Sequence, residues 1–314
     1  MRTSIRQALA VAAAAASFTV TMGLSAEEIQ GRISVSGQQR HYLMVVPARS
    51  SGRRLPAVIA LHGALMDGRS MQQIFGLDAI AKQEGFIAVY PDGLGRRWND
   101  GRRVRWNRAA ERVDDAGFLV SLARRIVDEG LADPKRLYLV GVSNGGIMVF
   151  RMACEAPEVF AAFAAIIANM SVGLAQRCQP GKGVPMLIMN STKDPMIPWQ
   201  GGPLGFAGRY GRVISTEESM EFWRRNNSCE GSRQQKPLPD KDRKDGSTVL
   251  AQQYNHCGSG APVVLIAIEG GGHIPPGARF GSRQLIESIL GKANRDISAA
   301  DISWKFFRRF PAKP

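Results

Sequence analysis

Leu137-Tyr138-Leu139-Val140-Gly141-Val142-Ser143-Asn144-Gly145-Gly146 runs from an apolar stretch into a serine flanked by glycines. A helix-like stretch, residues 145–154, follows it. Gly and Ser are common, so the G-x-S-x-G spacing says little alone. The strand before it and the helix after it make the reading, because that setting is what a nucleophile elbow requires. The sharp turn holds the serine in a strained backbone conformation and lifts its hydroxyl clear of the sheet. Small residues on either side let strand and helix approach closely. The helix N-terminus beneath favours developing negative charge. Ser143 is therefore the candidate nucleophile.

Working outward, short apolar runs recur at 42–46, 57–61, 86–90, 163–168, 186–189 and 263–268, most of them ended by Gly, Asn, Asp or Pro. Helix-like stretches lie between many of them, at 71–83, 116–129 and 217–225, with two more in the tail at 283–290 and 299–307. Buried strands alternating with helices predict an α/β fold, a mostly parallel central sheet with helices on both faces. Two stretches read as loops. Residues 93–112 hold seven arginines and two tryptophans. Residues 231–247 are almost without apolar side chains and read as a solvated insertion, before 248–254 resumes a strand-like alternation.

A serine hydroxyl needs a base to take its proton. In chains with such an elbow the order is serine, acid, histidine. His41 and His62 come too early, and His256 sits beside Cys257 away from a clear sheet edge. His273 follows the last apolar strand through Glu269-Gly270-Gly271-Gly272, a turn able to fold it back over the sheet edge. The acid should end a strand between the two, and Asp194 does, after 186–189. Its task is to hold the imidazole tautomer and stabilise the imidazolium. Asp242 and Asp245 lie in the polar insertion, and Glu269 ends its own strand. Oxyanion donors are expected from the backbone N–H groups of Asn144, next to the nucleophile, and of Ala64, in the turn after strand 57–61. His62 then reads as a structural hydrogen-bonder of that turn. Asp114 and Asp115 read as helix N-terminal carboxylates. Trp98, Trp106 and Trp199 are candidates for a substrate pocket, with packing as the equal alternative.

Arg2 and Arg6 precede an apolar run, residues 8–20, and a small-residue stretch ending Leu24-Ser25-Ala26. That order predicts a secretory signal peptide, residues 1–26, leaving 27–314 as one catalytic domain exported to the periplasm or the medium. The run is too short to span a bilayer, so no stable membrane insertion is expected. The formal charge is +14, and losing Arg2 and Arg6 lowers it by two. Such a charge suits anionic partners, but no nucleic-acid-binding motif accompanies it, and it reads as solvated surface. Four cysteines behind an export signal predict disulfides. Their spacing fits no zinc template, and no metal or other cofactor is expected. Of three possible pairings, sequence neighbours favour Cys154–Cys178 and Cys229–Cys257. Arg96, Arg97, Arg102, Arg103, Arg105 and Arg108 follow a parallel strand, and loops after such strands gather at the sheet edge that holds Ser143. A positive rim near the pocket is one reading of them, a merely solvated loop the other.

Leu61-His62-Gly63, Tyr90-Pro91-Asp92-Gly93, Trp98-Asn99, Val113-Asp114-Asp115-Ala116-Gly117-Phe118, Gly141-Val142-Ser143-Asn144-Gly145-Gly146, Asp194-Pro195 and Gly270-Gly271-Gly272-His273 occur in that order. As a set they resemble the secreted polyhydroxybutyrate depolymerase and feruloyl esterase-like branch of the α/β-hydrolases, over about Tyr42 to Phe307. The resemblance implies an α/β-hydrolase fold, a Ser143–Asp194–His273 triad and a serine esterase acting through an acyl-enzyme. It implies hydroxyalkanoate esters, or feruloyl and acetyl esters of polysaccharide, as substrates. One departure stands out. Many relatives carry Trp-Pro-Gly just beyond the histidine, where this chain has Ile274-Pro275-Pro276-Gly277. A serine peptidase on the same fold and a non-catalytic binding protein are the alternatives. The first is opposed by the lack of a propeller-like extra domain in this sequence, the second by the intact Ser, Asp and His.

Overall fold

The computed structural model describes residues 26–48, 52–102, 112–181, 183–280 and 282–311. Of the expected export signal only Ala26 falls within them, and Trp106, Arg103, Arg105 and Arg108 lie outside. In chain order the elements are β1 (Glu27–Val35), β2 (Gln38–Val46), β3 (Leu55–Leu61), α1 (Gly68–Phe75), α2 (Leu77–Glu84), β4 (Ile87–Pro91), α3 (Asp115–Asp128), β5 (Ala132–Val142), α4 (Asn144–Glu155), β6 (Ala162–Ile166) and α5 (Val172–Arg177). They continue with β7 (Met186–Ser191), β8 (Gly202–Pro203), β9 (Arg212–Val213), α6 (Thr216–Asn226), β10 (Gln234–Pro237), β11 (Thr248–Tyr254), β12 (Val263–Glu269), α7 (Arg283–Leu290) and α8 (Ala299–Phe307).

One sheet has the order β1-β2-β4-β3-β5-β6-β7-β12-β11-β10. Its centre, β4-β3-β5-β6-β7-β12, is parallel. Antiparallel strands close each side: β1 and β2 beside β4, β11 and β10 beside β12. Period-2 alternation splits the side chains between two cores. On β5, Leu137 and Leu139 face the layer built with α3, α4 and α6, while Tyr138, Val140 and Val142 face α1, α2 and α8. Helices thus cover both faces, and the central strands are apolar on both sides as a buried parallel sheet demands.

Two local expectations change, and one strand is added. The helix expected across 71–83 is two helices, because Gly76 adopts a left-handed φ of 75° that ends α1 and starts α2. The 231–247 stretch is not simply a solvated insertion, since β10 adds an edge strand to the sheet. Asp245 in it is buried, accepting from Ser247 and from the Arg295 N–H, and Asp242 pairs with Arg295. Strand β1, too polar to read as buried, pairs along its length with β2. Disulfides join Cys154 to Cys178 and Cys229 to Cys257. Among the described residues no helix is long and apolar enough to cross a membrane.

Candidate active site

The turn between β5 and α4 holds Ser143 at φ 56°, ψ −117°. The surroundings enforce it. Ser143 N–H donates to the Ile166 carbonyl of β6, and its own carbonyl accepts from Ile147 in α4. A Cβ on Gly145 would stand 2.5 Å from the Leu61 carbonyl oxygen, so α4 can pass the end of β3 only with glycine there.

His273 reaches this serine from the loop after β12. Its Nε2 lies 2.8 Å from Ser143 Oγ and its Nδ1 2.7 Å from Asp194 Oδ2. A carboxylate only accepts, so Nδ1 carries the proton and Nε2 is left to accept from the hydroxyl. Asp194 is held in turn, its Oδ1 accepting the N–H groups of Met196 and Ile197 at 2.7 and 2.8 Å. The histidine loop is laced on both sides. Gly272 and His273 N–H donate to the Lys292 and Leu290 carbonyls, and Lys193 N–H to Gly271 O. Both His273 and Asp194 are buried. The three residues singled out in the sequence are thus brought into one hydrogen-bonded line.

The β3–α1 turn packs against the serine: a Cβ built on Gly63 would lie 3.6 Å from Ser143 Cβ. Ala64 and Asn144, whose N–H groups are the candidate oxyanion donors, both line the cleft at Ser143. The next N–H, of Leu65, is engaged by the Arg96 carbonyl at 2.9 Å. His62 braces the turn. Its Nδ1 donates to Gly63 O at 2.7 Å and its Nε2 accepts from Gly93 N–H at 2.9 Å. Burial holds its pKa below the ordinary histidine range, against the pull of the Gly63 carbonyl.

Sequence reasoning missed a polar network under the elbow. The Asn144 side chain accepts from Trp98 N–H at 2.8 Å and donates to Trp98 O at 3.1 Å and to Asp100 Oδ2 at 2.5 Å. Asp100 is gripped by Arg102 through Nε and Nη2, and Arg102 Nη1 donates to the Tyr210 carbonyl. Nearby, Asp115 is buried in an ion pair with Arg40, at 2.6 Å, and accepts Asn99 N–H. Burial pushes the Asp115 carboxyl up, with Arg40 opposing. Of the two carboxylates read as helix N-terminal, Asp114 caps α3 by accepting Gly117 N–H, while Asp115 belongs to this pair. The short sequence Trp98-Asn99-Asp100 was the available signal for the network.

The cleft holds about 320 Å³ and its walls are mostly apolar, with Leu65, Ile147, Ile167, Met196 and Leu204 among them. Arg97 and Arg102 also reach it. Of the two readings for the tryptophans, packing is the one that holds for Trp98. Trp98 is buried, donates its indole N–H to the His62 carbonyl and packs on the His62 ring, so it supports the turn from beneath. Trp199 lies in a separate polar hollow with Glu217 and Glu269, reached by Asp194 but not by Ser143. Trp106 is outside the described residues.

The family described as Esterase PHB depolymerase matches residues 40–184, a segment with the elbow but neither Asp194 nor His273. "Putative esterase NocK" of Nocardia uniformis subsp. tsuyamanensis is 29% identical over 87% of this chain and 80% of its own length. Feruloyl esterase B of Piromyces equi is 24% identical over 77% of this chain, which spans only 44% of that enzyme. Within residues 40–184 the chain is similar to the esterase PHB depolymerase family, and over most of its length to proteins named esterase and feruloyl esterase. Among solved structures, an acetyl xylan esterase from Aspergillus awamori superposes with a TM-score of 0.53 at 14% identity, over 82% of this chain and 98% of that one. The fold is that of the α/β-hydrolase esterases.

Proposed function

We propose that the chain is a serine carboxylic-ester hydrolase working through an acyl-enzyme, with Ser143, His273 and Asp194 as its triad. The observation that carries the reading is the Ser143–His273–Asp194 hydrogen-bonded line, whose Ser143 and His273 open onto an apolar cleft. Ser143 Oγ attacks the ester carbonyl as His273 Nε2 takes its proton, and Asp194 stabilises the imidazolium that forms. The Ala64 and Asn144 N–H groups face the developing oxyanion. His273 then returns the proton to the departing alcohol. Water, deprotonated by the same imidazole, releases the acid. The apolar walls favour an acyl chain or aryl ring over a polar one.

The relatives carry the names feruloyl esterase and acetyl xylan esterase, and the family that of a polyhydroxybutyrate depolymerase. Feruloyl or acetyl esters of polysaccharide and hydroxyalkanoate esters are accordingly the proposed substrates. Export of one catalytic domain, residues 27–314, completes the reading, supported by two disulfides of a kind that persists in oxidising compartments. A fluorophosphonate probe should label Ser143, followed by turnover in a screen of p-nitrophenyl esters, methyl ferulate and hydroxybutyrate oligomers. Folded protein that takes up no label at Ser143 overturns the reading. Labelling with amide cleavage but no ester cleavage makes the chain a peptidase.

A further inference from the structure

Beyond Arg102 the cleft has a neighbour. A second cavity, of about 600 Å³, is lined by Gly101, Ser171, Gln176, Arg177 and Arg212, and by Arg102 itself. The two share Arg102, and they meet at one peptide, with Tyr210 in the wall of the first and Gly211 in that of the second. Together their walls carry Arg97, Arg102, Arg177 and Arg212, and no carboxylate among the described residues. Arg102 is charge-matched by Asp100 and forms a fixed partition. Arg177 and Arg212 are different. Both are exposed, neither makes an ion pair with a described residue, and Arg177 reaches Gly101 O at 3.4 Å. Two guanidinium groups facing one hollow repel each other, and a carboxylate between them would remove the repulsion and accept paired N–H donors.

We propose that this second cavity is an anion subsite of the catalytic cleft, taking a carboxylate at the far end of an ester whose reacting carbonyl sits at Ser143. The inference rests on the esterase reading and narrows it to carboxylate-bearing esters. Two sources share that chemistry: a hydroxy-acid oligomer with a free terminus, and an ester on a uronate-bearing oligosaccharide.

Mono-(4-nitrophenyl) esters of dicarboxylic acids of increasing length, each compared with its methyl-capped counterpart, test it. The charged ester should be preferred in kcat/KM at one chain length by about tenfold or more at low salt, and the preference should shrink as salt screens the site. R177Q/R212Q should bring the preference to about one while the capped ester changes less than about twofold, since only the charge is removed. No preference at any length, or one that survives R177Q/R212Q, overturns the subsite. Hydroxybutyrate trimers with free or methylated carboxylates, and feruloyl esters on acidic or neutral oligosaccharides, then show which pair loses its preference in the variant. Sebacate titrated by calorimetry judges the subsite without turnover. If sebacate binding is lost in R177Q/R212Q while no ester is cleaved, the esterase reading fails and the subsite stands. If sebacate binds equally to both proteins, the subsite fails.

Discussion

Ser143 pays for its position in backbone strain, since a side-chain-bearing residue at φ 56° costs of order 1–3 kcal/mol. Two substitutions separate that strain from the chemistry. Ser143→Ala should lower kcat by more than about a hundredfold and change stability little, because the Cβ that causes the strain remains. Ser143→Gly should lose activity equally yet unfold about 1 kcal/mol later in urea than the alanine variant. An alanine variant that keeps more than about a hundredth of the wild-type kcat removes Ser143 from the mechanism. His62 makes a prediction in pH. Its imidazole is held below the ordinary range by burial, so the folded protein resists the proton that the unfolded chain takes up near about pH 6.5. The unfolded state then binds more protons, and the contribution of His62 is complete above that pH and is lost as pH falls beneath it. Melting temperatures of wild type and His62→Asn at pH 7.5 and 5.5 should show the larger acid loss in wild type, roughly as linkage requires. Equal losses would place the effect elsewhere.

At the scale of elements, α3 is joined to β2 by the Arg40–Asp115 pair, with both side chains 1% exposed and the guanidinium 4.0 Å from the Phe118 ring centre. Removing one partner strands the other charge in the interior. Asp115→Ala should therefore cost about 3–5 kcal/mol in urea unfolding, whereas Arg40→Met with Asp115→Leu should cost less than that single change. Additivity of Arg40→Met and Asp115→Leu, each measured singly, in that double variant would show that the groups are not coupled. The disulfides act locally too. Cys154–Cys178 ties the end of α4 to the end of α5, and Cys229–Cys257 ties the segment after α6 to the segment after β11. Loss of either should cost at most about 2–5 kcal/mol, the range for small secreted domains, and less in a core of this size.

For the molecule as a whole, the formal charge of +14 implies self-repulsion that partial pairing of arginines does not cancel. The melting temperature should rise between about 0.01 and 0.15 M salt, as the screening length falls from roughly 30 to 8 Å. A melting temperature that falls over this range would mean that the surface ion pairs outweigh the repulsion. The arginines of residues 93–112 illustrate how distribution matters more than sum. Arg96 pairs with Asp67 and Arg102 with Asp100, while Arg97 stands over the Tyr210 ring in the cleft wall.

The parallel centre of the sheet and the elbow are legible in the amino-acid order, because both are written in local patterns. Apolar runs such as Val263–Ile268, too short for most helices and bounded by Pro262 and Gly270, read as buried strands, and a strand–turn–helix with glycine on both sides of Ser143 has few other uses. Chain order also narrowed the partners of Ser143 to His273 and Asp194, and the short Cys separations pointed to the two disulfides. What lies between elements depends on how they pack. Trp98 is as aromatic on paper as any pocket residue, and only the packing shows it beneath His62. The Asn144–Asp100–Arg102–Tyr210 network joins three segments distant in sequence, with no periodicity to betray it. Strand β10 hides in a polar stretch because an edge strand needs backbone hydrogen bonds from one neighbour and little apolar burial. The second cavity appears only when the loop at Gly211 is folded against the end of α5, since a hollow is a property of surfaces brought together.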